Sequence, residues 1–185
     1  MSFGTAITGT HCICSEKFFR FEDFFWGFAF AGVVSVAYEV VFFKCAQVAP
    51  RHNVWKVGGE LLKLLALIVA HLIILTNVLH LNSIYSISIS LVVTLLYMYS
   101  KRADLLRNML WSGLLSFVFI FIFYFTWQYP YPEVFYRFWK MDAISGVLFF
   151  GIPIEELVWF FLAGAFIGPL YEFVTGAETV SRKVT

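Results

Sequence analysis

Four stretches of this sequence, residues 23–43, 61–80, 82–100 and 105–127, stay apolar for about the 20 residues a helix needs to cross a bilayer's hydrocarbon layer. Such runs leave the chain little choice. In lipid every backbone N–H and C=O must be paired internally, and a run of this length without strand alternation does so as an α-helix. The composition agrees: 61% of the residues are hydrophobic and 14% charged, against roughly a quarter charged in a soluble domain. A net charge of +1 and the lack of a basic cluster interleaved with aromatics give no reason to expect nucleic acid as a partner. The partner that the pattern does call for is the lipid bilayer.

The second and third runs are joined by "HLNS" (80–83), a tight helical hairpin. A fifth apolar run, "ISGVLFFGIPIEELVWFFLAGAFIGPLYEFV" (144–174), is too long for one untilted span. Pro153 lacks a backbone donor and follows Gly151 by two positions, so the run is expected to split there. The expected pieces are a short half-helix at 143–151 and a span at 153–174. The fold class read from this pattern is an all-α integral membrane protein, with about five transmembrane helices and one half-helix. It forms a single membrane domain over 1–185, with connecting helices within 60–127 and an outer loop at 128–142. The first 21 residues lack the basic-then-apolar order of a signal peptide, so the first apolar run is expected to remain as a span.

If the first span runs inward, nine lysines and arginines (44, 51, 56, 63, 101, 102, 107, 182, 183) fall inside and four (17, 20, 137, 140) outside. That bias predicts the N-terminus outside and the C-terminus inside. The Trp and Tyr residues of "WQYPYPEVFYRFW" (127–139) then suit the outer headgroup belt. The three cysteines, Cys12, Cys14 and Cys45, have neither disulfide nor metal spacing and read as incidental. No His/Cys/Asp set has ligand spacing for zinc, and "VGGE" (57–60) is not a nucleotide loop, so no metal or other cofactor is expected.

Acidic residues break the apolar pattern twice. "FEDFFWGF" and "IEELVWFF" place Glu22–Asp23 and Glu155–Glu156 just ahead of aromatic helices. Aligned without gaps, residues 22–41 and 155–174 share six identities in 20 positions: Glu22/Glu155, Trp26/Trp159, Phe28/Phe161, Tyr38/Tyr171, Glu39/Glu172 and Val41/Val174. This is an internal repeat. Three crossings lie between its copies, so the two motif helices run parallel and bring both acidic pairs to one leaflet. Acids in a first turn also complement the helix dipole, and Pro153 marks a helix start; that plainer reading explains one copy better than two. Ionisable groups within a membrane are costly and generally functional.

"GIPIEELVWFFLAGAFIGPLYEF" resembles the signature helix of the lycopene cyclase domain family, small integral-membrane carotenoid cyclases that occur in microbes as two-subunit or fused enzymes. The matching residues are Pro153, Glu155, Glu156, Trp159, Phe160 and Phe161, with Glu22, Asp23, Phe25 and Trp26 matching the partner repeat. Family enzymes usually carry two three-helix units. The resemblance implies ring closure at the ends of a linear C40 polyene, an isomerisation without redox change, in a microbial inner membrane. Such chemistry needs a proton donor, a dry pocket that tolerates a carbocation, and a base. Among Glu22, Asp23, Glu155 and Glu156, some carboxyls can hold a proton while others do not, so one acts as acid and another as base. The faces of Trp26, Trp159 and the neighbouring phenylalanines suit a cation. Helical neighbours point about 100° apart, so one member of each pair is expected to meet the substrate. Glu22 and Glu155 are favoured because Trp26 and Trp159 follow four residues later.

Asn77 and His80, ending the second span on the same side, are further candidates for the substrate site, with helix-to-helix hydrogen bonding or a hairpin cap as the alternative. His71, near mid-membrane, reads as a packing residue rather than a proton relay, and Glu39 and Glu172 as interfacial anchors or partners for inner basic residues such as Lys44. The rival readings are a non-catalytic polyprenoid- or carotenoid-binding membrane protein and one subunit of a larger cyclase, as homo- or hetero-oligomer. An intramembrane protease of the Glu-Glu-x-x-x-Arg type is disfavoured because "EELVWF" has Phe160 where the Arg would stand. A channel is disfavoured by the apolar middle helices.

Overall fold

The structure, a computed structural model, describes residues 21–47, 54–133, 135–136, 139 and 141–181. Within those ranges the side chains of 21–23, 45, 47, 142 and 179–181 are outside the description. Among the described residues, five helices are long and apolar enough to cross a membrane: α1 (Phe21–Val41), α2 (Val54–Asn77), α3 (Ser83–Lys101), α4 (Leu106–Gln128) and the pair α5 (Ile154–Ile167) and α6 (Leu170–Thr175), which form the last span together. This is an all-α membrane fold.

Side-chain contacts give the helix directions. Tyr85 of α3 meets Glu155 of α5, and Tyr97 meets Phe173 further along, so α3 runs parallel to α5–α6. Tyr124, late in α4, meets Glu156, while Asn108, early in α4, meets Glu172; α4 is therefore antiparallel to them. In α1, Trp26 stacks on Phe123 and Phe42, just past the helix, meets Trp111, so α1 is antiparallel to α4 and parallel to α5. The end of the bundle holding Glu155 and the 78–82 link is called the motif end below. The opposite end, with Arg102 and Arg107, is the basic end.

α4 and α5 approach closely because small residues face each other. Gly113 lies against Phe161 and Ala165, Gly164 against Ser116 and Ser112, and Gly168 against Ser112, leaving no room for a side chain at these three positions. Helices in lipid gain nothing from hiding apolar surface from water, so this backbone-close packing and interhelical hydrogen bonds must supply the attraction. Ser116 Oγ gives one such bond, 2.9 Å to the Phe160 carbonyl. On α3 the buried hydroxyls of Ser90 and Thr94 donate to the carbonyls four residues back, which satisfies them without a partner helix. α2 is the most lipid-exposed of the five, with Leu64 its fully buried residue.

The structure differs from the sequence expectation at 143–151, where no half-helix forms. A 3-10 turn (Met141–Ala143) leads to a two-stranded hairpin, β2 (Leu148–Phe149) and β3 (Ile152–Pro153), with Leu148 opposite Pro153. Its turn residues, Phe150 (φ 51°) and Gly151 (φ 83°), are both left-handed, as a two-residue hairpin turn of the twist-matching kind requires. Gly151 also lies against the amide of Gln128, where a Cβ would collide. The last span breaks at Gly168–Pro169, because Pro169 cannot donate to the helix ladder. At the basic end β1 (Lys44–Gln47) pairs antiparallel with β4 (Glu178–Ser181).

Candidate functional site

Pro153 is buried and caps α5 with extended backbone (φ −56°, ψ 130°), turning the chain from the hairpin into the helix. Glu155 and Glu156 therefore sit in the first turn of α5, where the helix dipole favours acidic groups. Both are buried, with relative exposures of 8% and 7%. Burying a carboxyl is costly unless its oxygens find donors, and two tyrosines from different helices provide them. Tyr85 of α3 donates to Glu155 Oε1 at 3.0 Å, and the Ser145 backbone N–H donates to the same oxygen at 2.8 Å. Tyr124 of α4 donates to Glu156 Oε1 at 2.6 Å. Glu155 Oε2 is buried without a hydrogen-bond partner among the described residues.

A cavity of about 440 Å³ opens beside the pair, lined by Leu72 of α2, Ser83, Ile84 and Ile87 of α3, Trp139, and Glu156 and Trp159 of α5. Its walls are mostly apolar, and Glu156 is the one ionisable side chain among the described residues lining it. The two glutamates face different surroundings. Glu156, three residues before Trp159, shares the cavity with the indole, whereas Glu155 points to Tyr85 and the 141–147 segment. Residues three apart lie on one helix face as readily as residues four apart. Partners on other helices decide between the two.

The other motif helix, α1, is close, but none of its described side chains lines this cavity. Phe30 of α1 packs edge-on against Phe160 at 5.0 Å between ring centres, and Trp26 stacks on Phe123 at 5.7 Å. Phe160 is buried among Phe30, Tyr124 and Trp159, while Phe161 faces another, wholly apolar cavity with Leu114, Phe117 and Phe149. Phe25 is 63% exposed, towards lipid. Phe30 meeting Phe160 also staggers the two repeat helices by about one turn, since the sequence alignment pairs Phe30 with Ala163. Glu22 and Asp23 belong to the first turn of α1 at the motif end, and their side chains lie outside the described residues.

Asn77 and His80 are exposed. Asn77 Nδ2 donates to its own helix at Ile73, 3.0 Å away, and His80 has left-handed backbone (φ 51°) in the link to α3. Both serve the end of α2 and its link rather than the cavity wall. His71 bonds the Leu67 carbonyl of its own helix. Glu172 lies at the basic end, where Arg102 Nη1 donates to its backbone carbonyl at 3.1 Å. It is buried at 2% exposure, accepts from Asn108 Nδ2 at 2.8 Å, and Asn108 accepts from Ser112 Oγ at 2.8 Å.

Tyr85, Tyr124, Ser145 and Trp139 were not singled out by the sequence reading. A signal existed for the tyrosines: a phenol inside an apolar span, as in "SIYSISIS" and "FIFYFTW", needs a hydrogen-bond partner in lipid.

A family model described as lycopene cyclase matches residues 82–174. That match takes in α3, α4 and α5 with both glutamates, their two tyrosine donors and most of the cavity wall. The chain belongs to the lycopene cyclase family. The matched region begins after α1 and α2, so the acidic pair of α1 lies outside it. No curated protein and no solved structure matches the chain. Membership of the lycopene cyclase family supports a carotenoid cyclase-like role in the membrane.

Proposed function

We propose that this protein closes a ring at the end group of a linear polyene, with Glu156 as the group that exchanges a proton with the substrate. The observation that carries this reading is that Glu156 is the one carboxyl among the described residues lining a mostly apolar cavity walled by Trp159 and Trp139. A cavity of about 440 Å³ is the size of a small-molecule pocket, suited to an end group while the rest of the polyene lies outside it among apolar helices.

The chemistry balances without an oxidant or a metal. The Glu156 carboxyl gives its proton to one carbon of the terminal double bond, and the other carbon becomes a tertiary cation. A nearby double bond of the same chain attacks that cation, forming the ring bond and moving the charge to a ring carbon. The Glu156 carboxylate then takes a proton from the adjacent carbon, a new double bond forms, and the acid is restored. Tyr124 holds Oε1 of Glu156, which fixes where the carboxyl points. The indole faces of Trp159 and Trp139 attract the passing cation without reacting with it. The mostly apolar lining gives few footholds to the water that would trap it as an alcohol.

The test is expression in lycopene-producing cells with analysis of the carotenes formed. Monocyclic or bicyclic carotene is expected from the parent chain and none from Glu156→Gln, with both proteins verified in the membrane. Absence of any cyclised product from the parent would overturn the reading. A second reading, polyene binding without turnover or service as one subunit of a larger cyclase, is favoured by the family match excluding α1 and its acidic pair. Lycopene retained unconverted on the purified protein would support it.

A further inference from the structure

The two glutamates are adjacent in sequence, yet their surroundings differ in kind. Glu156 lines the cavity; Glu155 does not. Instead Glu155 Oε1 joins two pieces of chain, accepting from the Ser145 N–H at 2.8 Å and from the Tyr85 hydroxyl at 3.0 Å. The same segment has a second fastening. Asn82, which caps α3 by accepting from the Ile84 N–H, donates through Nδ2 to the Ala143 carbonyl at 2.7 Å. A third bond runs from the Ile154 N–H to the Val147 carbonyl at 3.1 Å. Residues 143–147 are thus tied to α3 and to the start of α5, next to the end of the cavity bounded by Ser83 and Ile84.

We infer that the acidic pair divides its work: Glu156 meets the substrate, and Glu155 is a positioning residue that straps residues 143–147 across the motif ends of α3 and α5, beside the cavity's Ser83–Ile84 end. The activity part of this inference rests on the cyclase reading above; the strap itself does not. The unpartnered Oε2 sharpens the expectation. Both fastening bonds use Oε1, and Oε2 makes none among the described residues. Glutamine can present its carbonyl oxygen at the Oε1 position and its amide nitrogen at Oε2, so no existing bond is lost. Alanine loses both.

Two measurements on the full chain in nanodiscs test this. In hydrogen–deuterium exchange, the peptide covering 143–147 is expected to exchange about tenfold faster in Glu155→Ala, the size expected when a buried acceptor is removed. Glu155→Gln should match the parent, and Asn82→Ala, which removes the other fastening, should accelerate the same peptide. In product formation, Glu155→Ala should raise the apparent KM for the polyene more than it lowers kcat, and Glu155→Gln should restore the parent values. Unchanged exchange in Glu155→Ala overturns the strap. Glu155→Gln as inactive as Glu156→Gln, with parent-like exchange, overturns the division of work by making Glu155 a proton-transfer group. If the parent forms no cyclised product, the cyclase reading fails while the exchange result still decides the strap.

Discussion

A hydroxyl placed within an apolar span has nowhere to turn except another side chain or its own backbone, and Tyr124 illustrates the consequence. Its bond to Glu156 at 2.6 Å is the shortest way for either group to avoid an unpaired polar atom in lipid. Tyr124→Phe keeps the ring, its edge contacts with Phe135 and Phe160 and hence the packing, and removes only the donor. Product formation should fall about tenfold, with membrane levels unchanged, as expected for one lost bond to a carboxyl; an unaltered rate would show that Glu156 needs no such holder. At the basic end Asn108 stands between Ser112 and Glu172 as acceptor and donor at once. Asn108→Leu should lower the thermal midpoint in detergent, by about 1–3 kcal/mol of stability, because the amide's partners lose their bonds in a buried place. Neither pairing was legible in the sequence: 32 residues separate Tyr124 from Glu156 and 64 separate Asn108 from Glu172.

Among the elements, the α4–α5 pair shows how little space separates two helices when glycine lets them approach. A side chain at Gly164 would meet Ser116 and the Ser112 carbonyl, so Gly164→Leu must push the helices apart or distort α5. A stability loss of about 1–3 kcal/mol is expected, the usual cost of overpacking, measurable as a lowered unfolding midpoint. Because Ser116 also bonds the Phe160 carbonyl, the displacement should reach the cavity wall and reduce product as well. The hairpin at 148–153 teaches a different lesson. Its turn is Phe150–Gly151, without the Asn-Gly or Asp-Gly that advertises such turns, in a run whose hydropathy equally suits a helix. Gly151→Val should therefore disrupt the approach to Pro153 and loosen α5's first turn, seen as faster amide exchange across 148–155.

Across the whole molecule, α1, α3 and α5 run one way and α2 and α4 the other, so the 78–82 link and the 129–133 loop lie at one end and residues 102–105 at the other. In a cysteine-free background, cysteines at the exposed positions His80 and Tyr131 should be labelled by a membrane-impermeant reagent from one side, and at Ala103 from the opposite side. All three labelled from a single side would break the topology. The number of spans and the presence of an acid at the mouth of α5 followed from sequence alone, for a simple reason: bilayer thickness sets a length scale that a run of apolar residues either meets or does not. The repeat likewise marked Glu155, Glu156, Trp159 and Phe161 as one helical unit. Which glutamate entered the cavity, which was tied to Tyr85 and Ser145, and that α1 packed its Phe30 against Phe160 were decided only in three dimensions. Rotation about a helix axis is nearly invisible in a sequence that is apolar on every face, and the partners that fix it come from distant helices.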